Sequence, residues 1–473
     1  MFCTAGLLLL GSGCGGGGSD ASDPAPVVVP VPPPPPPPPC PNALGDGTNS
    51  RKDGDDCLAT FRDSDGAGYD ARQLDHSLGW LVEANAPLDG LLVFGQSNAG
   101  LFVASDINSN LHAPLFPHTV VGSSLGYWGD NTTIRPPVAA APFQDLYDPP
   151  SLIGHYPATL DAYAAERVAR DGGRAPTGLY AYSQFQPGQP ITSFVRGTIN
   201  YQDLLDDVRR TVASAKLYKR TFVVRGIVWI QGETPSGNYE AMLETLADNV
   251  AEDIKAITGQ SGRPELMIQQ INTPDAQPAI TGVELAQLAL ARRRFGSGIT
   301  LIGPMYQGRF GANDPQHVSD LGKMALADVA GLAFDRIRRG LTFTPLWPVA
   351  VSRAGAVIDV RFALPGNGLA FDADFVPATP DFGFVYHEPA SPAKVASVAI
   401  VAPDTVRITL DRVPVGPGLL EYALGNETAT DRFAAGRGNL YSEDNAISVY
   451  WRLGYPVPKK VRHYAVRFQE GVP

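Results

Sequence analysis

The chain has 473 residues, of which 44% are hydrophobic, so it can bury a core large enough for two or three domains. Its net charge of −11 argues against nucleic acid as a partner, because binding to phosphates requires basic patches. No window of about twenty apolar residues occurs, so no transmembrane helix is expected.

Residues 1–23 are typical of an export segment followed by a flexible polar stretch. Leu7–Leu10 form a short apolar run, and the small residues after them lead to Cys14. This pattern resembles a bacterial lipoprotein cleavage site with Cys14 as the lipidated residue. The alternative is a simple cleaved signal in which Cys14 is incidental. The first ten residues contain no Lys or Arg, although a signal peptide normally has a positive n-region. We expect export to the periplasm, the outer membrane or the exterior, with a membrane tether if Cys14 carries a lipid.

Two segments follow the export signal. Residues 24–39 are rich in proline and predict an extended linker, which at ~3.1 Å per residue spans on the order of 50 Å. Residues 40–80 are rich in aspartate and contain Cys40 and Cys57. We expect these cysteines to form a disulfide, because an exported protein folds in an oxidising compartment. The aspartates do not have the spacing of a calcium-binding EF-hand loop, so we predict a solvated acidic loop.

Between residues 81 and 342, short apolar runs alternate with helical patterns. The runs predict strands at Leu91–Phe94, Ile227–Ile230, Leu266–Ile268 and Ile299–Ile302. Apolar residues at helical spacing predict helices at Tyr201–Lys216, Tyr239–Thr258 and Leu321–Arg339. Strands that alternate with helices indicate an α/β domain, in which helices cover both faces of a parallel sheet.

The pattern changes in residues 343–473, where short strands are punctuated by Pro and Gly. The predicted strands are Val349–Val351, Ala356–Phe362, Phe382–Tyr386, Val398–Val401, Val406–Leu410 and His463–Phe468. We expect a smaller β-rich domain of the sandwich type.

A serine stands directly after the first predicted strand, in the segment Gly95–Asn98. A serine there lies at the carboxyl end of a parallel strand, the edge at which open α/β sheets place their ligands. If a helix follows, its free N–H groups also favour an anion at this point. The alternative is that Ser97 only caps a helix, which is common.

Two further polar segments stand at matching places. Trp229–Glu233 follows the next long apolar strand and puts Gln231 at the same sheet edge. Asp314 and His317 are three residues apart, just before the last predicted helix. A histidine can take a serine proton while an aspartate orients and charge-balances the imidazole. An isolated Asp-x-x-His pair carries little information, because such pairs occur by chance.

Together and in this order, the three segments resemble the SGNH hydrolase superfamily, and within it the sialate O-acetylesterase and acetylxylan esterase branch. The resemblance covers about residues 85–340 and implies a flavodoxin-like domain. It implies an exported serine esterase that hydrolyses O-acyl esters, most simply O-acetyl esters, on a carbohydrate or sialic acid. In this scheme Ser97 is the nucleophile, His317 is the general base and then acid, and Asp314 orients His317.

The resemblance also implies an oxyanion hole made by the N–H of Ser97, the side chain of Gln231 and an N–H of Gly188. Gly188 stands where the family has a Gly-Gly-Thr-x-Ile segment, but Gln189 and Pro190 depart from that pattern. The supporting residues are Gln96, Asn98 and Glu233, of which Glu233 is expected to act as a buried structural acceptor. No zinc motif is present, and neither a metal nor a cofactor is expected.

Two alternatives remain open at this stage. The same scaffold can carry a lipase, a thioesterase or a polyester hydrolase, because a fold does not determine its substrate. The second alternative is a surface protein that binds carbohydrate without catalysis, although such a binder has no need for Ser97, Asp314 and His317 together.

Overall fold

The structure is a computed structural model. It describes residues 48–53, 56–62, 68–73, 87–100, 120–123, 138–140, 143–145, 178–217, 220–234, 237–271, 282–308, 310–311, 314–389, 393–425, 436–452 and 454–473. These residues all belong to one compact unit that starts at Cys40. The expectations for the export segment, for Cys14, for the proline-rich linker and for a disulfide with Cys40 lie outside the described residues.

The segment rich in aspartate contains a small antiparallel sheet, whereas we expected a loop. Its strands, in the order β1-β2-β3, are β1 Thr48–Asp53, β2 Asp56–Arg62 and β3 Gly68–Gln73. Asp53 pairs with Asp56, so only two residues connect the first two strands. In the sequence these strands are separated by Gly54-Asp55, and a Gly-x pair between two strands is a hairpin signal that the sequence analysis overlooked.

A seven-stranded sheet forms the centre of the α/β part. Its strands are β4 Leu88–Gly95, β5 Val120–Ser123, β6 Phe143–Asp145, β7 Gly178–Phe185, β8 Phe222–Ile230, β9 Glu265–Gln270 and β10 Ile299–Pro304. The order is β10-β9-β8-β4-β7-β5-β6, and every neighbouring pair is parallel except β5 and β6. The five strands β7-β4-β8-β9-β10 have the 2-1-3-4-5 order of flavodoxin-like sheets, in which the direction of winding changes between β4 and β8.

Within the described residues, four long helices accompany this sheet. They are α1 Ile199–Leu217, α2 Tyr239–Thr258, α3 Val283–Arg293 and α4 Asp320–Arg338. Helix α2 has the predicted bounds, because the side chain of Asn238 caps its first turn and Gly259, at φ 72°, ends it. Helix α1 begins two residues before its predicted span and ends one residue after it, and α4 is shifted by one residue toward the N-terminus. Helix α3 was not predicted.

The helices lie on both faces of the sheet, as the alternation of strands and helices predicted. Phe94 packs edge-on against Trp229, whose indole N–H donates to the hydroxyl of Tyr239 at the start of α2. Leu91 points to the other face, because it is three positions from Phe94 in the same strand. Its register partner Gly226 lies against Phe334 of α4. Helices α2 and α4 therefore cover opposite faces.

The β-rich part consists of antiparallel sheets. A two-stranded ribbon joins β11 Phe310–Gly311 to β12 Asp314–Val318. The later strands are β13 Trp347–Ala354, β14 Val357–Ala363, β15 Leu369–Phe371, β16 Phe384–His387, β17 Val395–Ala402, β18 Thr405–Leu410, β19 Gly418–Tyr422, β20 Leu440–Ile447, β21 Lys460–Tyr464 and β22 Phe468–Val472. They form the sheets β13-β14-β18-β17, β15-β20-β21 and β16-β19-β22. A four-residue helix, α5 Val449–Arg452, follows β20.

The strand predicted over His463–Phe468 is wrong, because the chain leaves the sheet between β21 and β22. In this break the carbonyl of Ala465 accepts a hydrogen bond from the buried hydroxyl of Tyr306, at 2.5 Å. The N–H of Arg467 donates to Oε1 of Gln270 at 2.7 Å. These two backbone groups of the break therefore bond to the α/β part, whereas the N–H groups of Ala465 and Val466 donate to the carbonyls of Leu440 and Leu346, each at 2.9 Å.

The side chain of Arg467 makes a buried polar contact between the two parts of the chain. It is 1% exposed, and Nη1 lies 3.3 Å from Oε1 of the fully buried Glu284 in α3. Its Nε donates to the carbonyl of Ala423 at 2.6 Å. A buried charge with these partners is costly to leave unpaired.

We predict that Arg467→Met destabilises the protein by about 3–5 kcal/mol, because it leaves the carboxylate of Glu284 buried without its cation. Urea unfolding followed by tryptophan fluorescence measures the change. Arg407→Met is the control, because Arg407 pairs with Asp359 on an exposed face and its loss should change stability little. Equal effects of the two substitutions would contradict the role given to Arg467.

Candidate active site

Ser97 lies at the carboxyl end of β4, next to β8, where the winding of the sheet changes direction. Gly95 ends β4 at φ 151°, and a Cβ there would lie 1.9 Å from the carbonyl oxygen of Ile230. Only glycine fits such a close approach of two strands. The chain then turns, and a short 3₁₀ helix, Ser97–Ala99, begins at the serine itself. Ser97 is 6% exposed.

His317 is far from Ser97 in the sequence and contacts it in the folded chain. Its Nε2 lies 2.9 Å from Oγ of Ser97, although the two residues are 220 positions apart. His317 belongs to β12, and Ser319 caps the following helix α4 by accepting a hydrogen bond from Gly322. The strand and the capped helix hold the backbone on both sides of the imidazole.

Asp314 is the first residue of the same strand, where it pairs with Gly311. The side chain of Asp314 is not among the described parts of the structure. Its role in orienting His317 therefore stays a prediction.

Asn98 connects three separate segments around Ser97. Its amide nitrogen donates to Oε1 of Glu233 at 2.9 Å, and its Oδ1 accepts from the N–H of Val318 at 3.1 Å. Val318 is the neighbour of His317, so this bond holds the histidine segment against the serine segment. Gln96 makes a longer link, in which its Oε1 accepts from the N–H of Gly232 at 3.4 Å. These contacts are of the supporting kind that was expected for both residues.

Glu233 is partly buried and lies close enough to His317 for their charges to interact. Burial raises the pKa of the Glu233 carboxyl above its ordinary value, against the opposing effects of the hydrogen bond from Asn98 and of the charge on His317. Its second oxygen, Oε2, is buried and has no hydrogen-bond partner among the described residues. This carboxyl is therefore easier to protonate than an exposed one.

Gln231 is fully buried, and its side-chain nitrogen donates to two backbone carbonyls. Nε2 donates to the carbonyls of Gln189 and Thr234, each at 3.2 Å. The backbone carbonyl of Gln231 accepts hydrogen bonds from the hydroxyl of Tyr239 at 2.6 Å and from the side chain of Gln287 at 3.0 Å. These bonds brace the loop after β7, which contains Gln189, against the loop after β8, which contains Thr234. Donation to an oxyanion would require one of the two bonds of Nε2 to open.

The backbone N–H groups expected in the oxyanion hole differ from the side-chain amide of Gln231, because they are not already bonded to an acceptor among the described residues. Within the described residues, neither the N–H of Ser97 nor that of Gly188 has a hydrogen-bond acceptor. Gly188 adopts φ 66°, and a Cβ there would meet no atom within 4 Å. Gln189, which breaks the family pattern in sequence, supplies the carbonyl that holds Gln231.

The described part of the chain contains no group of three or more His, Cys, Asp or Glu placed to hold a metal ion. The described helices also include none that is both long and apolar enough to cross a membrane. Neither finding extends to the remaining residues.

We predict that Gln231→Ala lowers the melting temperature, because the loops of Gln189 and Thr234 lose their shared donor. If Gln231 only braces these loops, kcat stays close to the wild-type value. A loss of ~10²–10³ in kcat with an unchanged KM would instead show that Gln231 donates to the oxyanion. Thermal unfolding and steady-state kinetics on the same preparation separate the two roles.

We predict that Glu233→Gln reduces the dependence of stability on pH. Because the folded protein raises the pKa of Glu233, the wild type loses stability as the pH rises from about 4.3, the pKa of an exposed glutamate, through the folded value. The glutamine keeps an acceptor for Asn98 and carries no charge. The melting temperature of the variant minus that of the wild type should therefore grow as the pH rises. A difference that does not change with pH would contradict this assignment, and Glu252→Gln on α2 is the surface control.

No family model matches the chain, and no curated protein matches it either. Among solved structures it is similar to a carbohydrate acetylesterase from Xanthomonas citri, with 13% identity and a TM-score of 0.50 over 88% of this chain and 95% of that one. A protein from Arabidopsis thaliana has 15% identity and a TM-score of 0.38, over 52% of this chain and 98% of that one. NanS has 13% identity and a TM-score of 0.39, over 54% and 99%. At these identities the likeness to the Xanthomonas enzyme shows that the two chains share a fold, in which an α/β part is joined to antiparallel sheets.

Proposed function

We propose that the protein is a serine esterase of the SGNH hydrolase type that removes acyl groups, and acetyl groups in particular, from a carbohydrate. The observation that carries this proposal is the 2.9 Å contact between Oγ of Ser97 and Nε2 of His317 at the carboxyl edge of the sheet. A hydroxyl within hydrogen-bond reach of an imidazole is the arrangement that activates a serine. The acetylesterase named among the similar structures supports the choice of substrate class.

The reaction begins when Oγ of Ser97 attacks the carbonyl carbon of the ester while its proton passes to Nε2 of His317. The negative charge that develops on the carbonyl oxygen is received by the N–H groups of Ser97 and Gly188. Collapse of this intermediate breaks the bond to the sugar oxygen, which takes the proton from His317. Water then attacks the acyl-serine with His317 as base, which releases acetate and restores Ser97.

The surroundings of His317 favour this cycle. During each half-reaction the imidazole carries a positive charge, and the carboxyl of Glu233 lies close enough to interact with that charge. Asp314, three residues away in β12, is the residue that we propose to orient the ring. The bond between Asn98 and the N–H of Val318 keeps the histidine backbone at its distance from Ser97.

We also propose that the enzyme is exported, on the basis of the short apolar run and the small residues before Cys14. An acylated glycan outside the cytoplasm is then the substrate, and a lipid on Cys14 would keep the enzyme near the membrane. Radiolabelled palmitate, incorporated by wild type and not by Cys14→Ser, tests the lipid.

We predict that Ser97→Ala and His317→Ala each lower turnover by a factor on the order of 10⁴ or more, and that the double variant is little worse. The losses do not add, because each group is useless to the reaction without the other. Acetate release from acetylated glycans measures the effect, and Ser193→Ala, at a serine whose hydroxyl donates to Oε1 of Gln189, is the matched control. Activity close to wild type in Ser97→Ala would remove the serine esterase assignment.

A series of p-nitrophenyl esters of increasing chain length separates the acetylesterase from the other esterases that this scaffold can carry. We predict that kcat/KM is highest for the acetate and falls steeply for butyrate and octanoate. The proposal for the acyl group fails if the longer esters react faster, since this would indicate a lipase, thioesterase or polyester hydrolase. If none of the esters reacts and no acetate is released from glycans, the protein is a binder without catalysis.

A further inference from the structure

A cavity lies between helix α4 and the β-rich part. Its volume is about 500 Å³, within the range of pockets that hold small ligands. One wall is the last turn of α4, with Asp335, Arg336 and Arg339. The opposite wall comes from β20 and β21, with Asp444 and His463.

This cavity is separate from the candidate active site. His317 stands just before the first turn of α4, whereas the cavity is lined by its last turn. At 1.5 Å per residue the two ends of α4 are roughly 25 Å apart. A ligand in the cavity therefore makes no contact with Ser97.

The charges of the walls balance one another. Two guanidinium groups, of Arg336 and Arg339, stand with two carboxylates, of Asp335 and Asp444. Both carboxylates have partners in the protein, because Asp335 pairs with Arg339 at 2.9 Å and Asp444 with Nε2 of His463 at 3.1 Å. The carbonyl end of α4, which is partially negative, faces the same region. The formal charges of the two Arg and two Asp side chains sum to zero, so together they favour neither an anion nor a cation.

The polar groups are planar and are held in place, which suits pairs of neighbouring hydroxyls. Nε of Arg336 donates to the carbonyl of Thr342, which fixes the plane of its guanidinium group. Asp444 is held twice, by His463 and by the N–H of Ala446 at 2.9 Å. The fixed donors and acceptors need no further ordering when a ligand binds.

The remaining lining is mostly apolar, with Leu332, Phe343, Leu364, Pro365 and Ala446, and adds the polar side chains of Thr344 and Asn445. A sugar ring has the matching character, because its rim carries hydroxyls and its faces carry C–H groups. We propose that the cavity between α4 and the β-rich part binds a neutral saccharide unit of a glycan. This inference goes beyond the proposed esterase and does not depend on Ser97.

The test uses the full chain with Ser97→Ala, so that no acyl group is removed during the measurement. The probes are an array of neutral oligosaccharides, followed by isothermal titration calorimetry with the strongest one. We expect binding that is weakened at least tenfold by Arg336→Ala and by Asn445→Ala. Both residues line the cavity at exposed positions, so their loss should leave the fold intact. His463→Gln, which keeps a donor for Asp444, tests the opposite wall, and Arg407→Ala, outside the cavity, is the control that should bind normally.

Several results would overturn the proposal. They are the absence of binding to every neutral oligosaccharide, binding that Arg336→Ala and Asn445→Ala leave unchanged, and binding of inorganic phosphate or of a uronic acid in place of the neutral sugar. Failure of the esterase leaves this measurement intact, because the array detects binding alone. Conversely, the absence of sugar binding together with normal acetate release would overturn only the proposal that the cavity binds a saccharide.

Discussion

The close approach of β4 and β8 at Gly95 is the constraint on which the site depends. The carbonyl of Ile230 occupies the place where any other residue would carry its Cβ. The N–H of Gln96 bonds to the same carbonyl at 2.9 Å, so the chain leaves β4 in one defined direction. In a parallel sheet the neighbouring strands end at the same edge, and the sheet therefore brings Ser97 and Gln231 together before any side chain contributes.

A layer of buried amides holds the edge in this shape. Asn98 links the serine segment to Glu233 and to the histidine segment, and Gln231 links β8 to the loop of Gln189. Buried polar groups that find partners make a rigid network, whereas an unpaired one is costly. The distance between Ser97 and His317 is thus maintained by residues that take no part in the proton transfer.

Sequence reasoning found helix α2 from its apolar stripe and missed two elements in which buried polar residues break the apolar pattern. Helix α2 follows an apolar stripe between a cap at Asn238 and a glycine, and its bounds were predicted. Strand β7 was missed because Ser183 and Gln184 interrupt its apolar run, although both are buried. Helix α3 was missed for the same reason, because Glu284 and Gln287 are fully buried and bond to distant parts of the chain.

The contacts of the site show the same limit. The positions of Ser97 and Gln231 at the edge of the sheet follow from the strands that precede them, so they could be predicted. The partners of Gln231 could not, because the carbonyls that hold it belong to loops whose paths depend on the completed fold. Local sequence reports which strand a residue follows, and it carries no information about which buried carbonyl lies 3 Å from an amide nitrogen.

The β-rich part extends along α4 from one end of the sheet toward the other. At the carboxyl edge, Arg467 bonds to Gln270 at the end of β9, which is two strands, or about 10 Å, from β4. In the middle of α4, the hydroxyl of Ser448 donates to Asp328 at 2.5 Å, and both residues are buried. At the far end lies the cavity of Arg336 and His463. Because the contacts at the carboxyl edge and along the helix are buried and polar, the two parts of the chain pack in one arrangement, and the β-rich part contributes to the surroundings of the edge that holds Ser97.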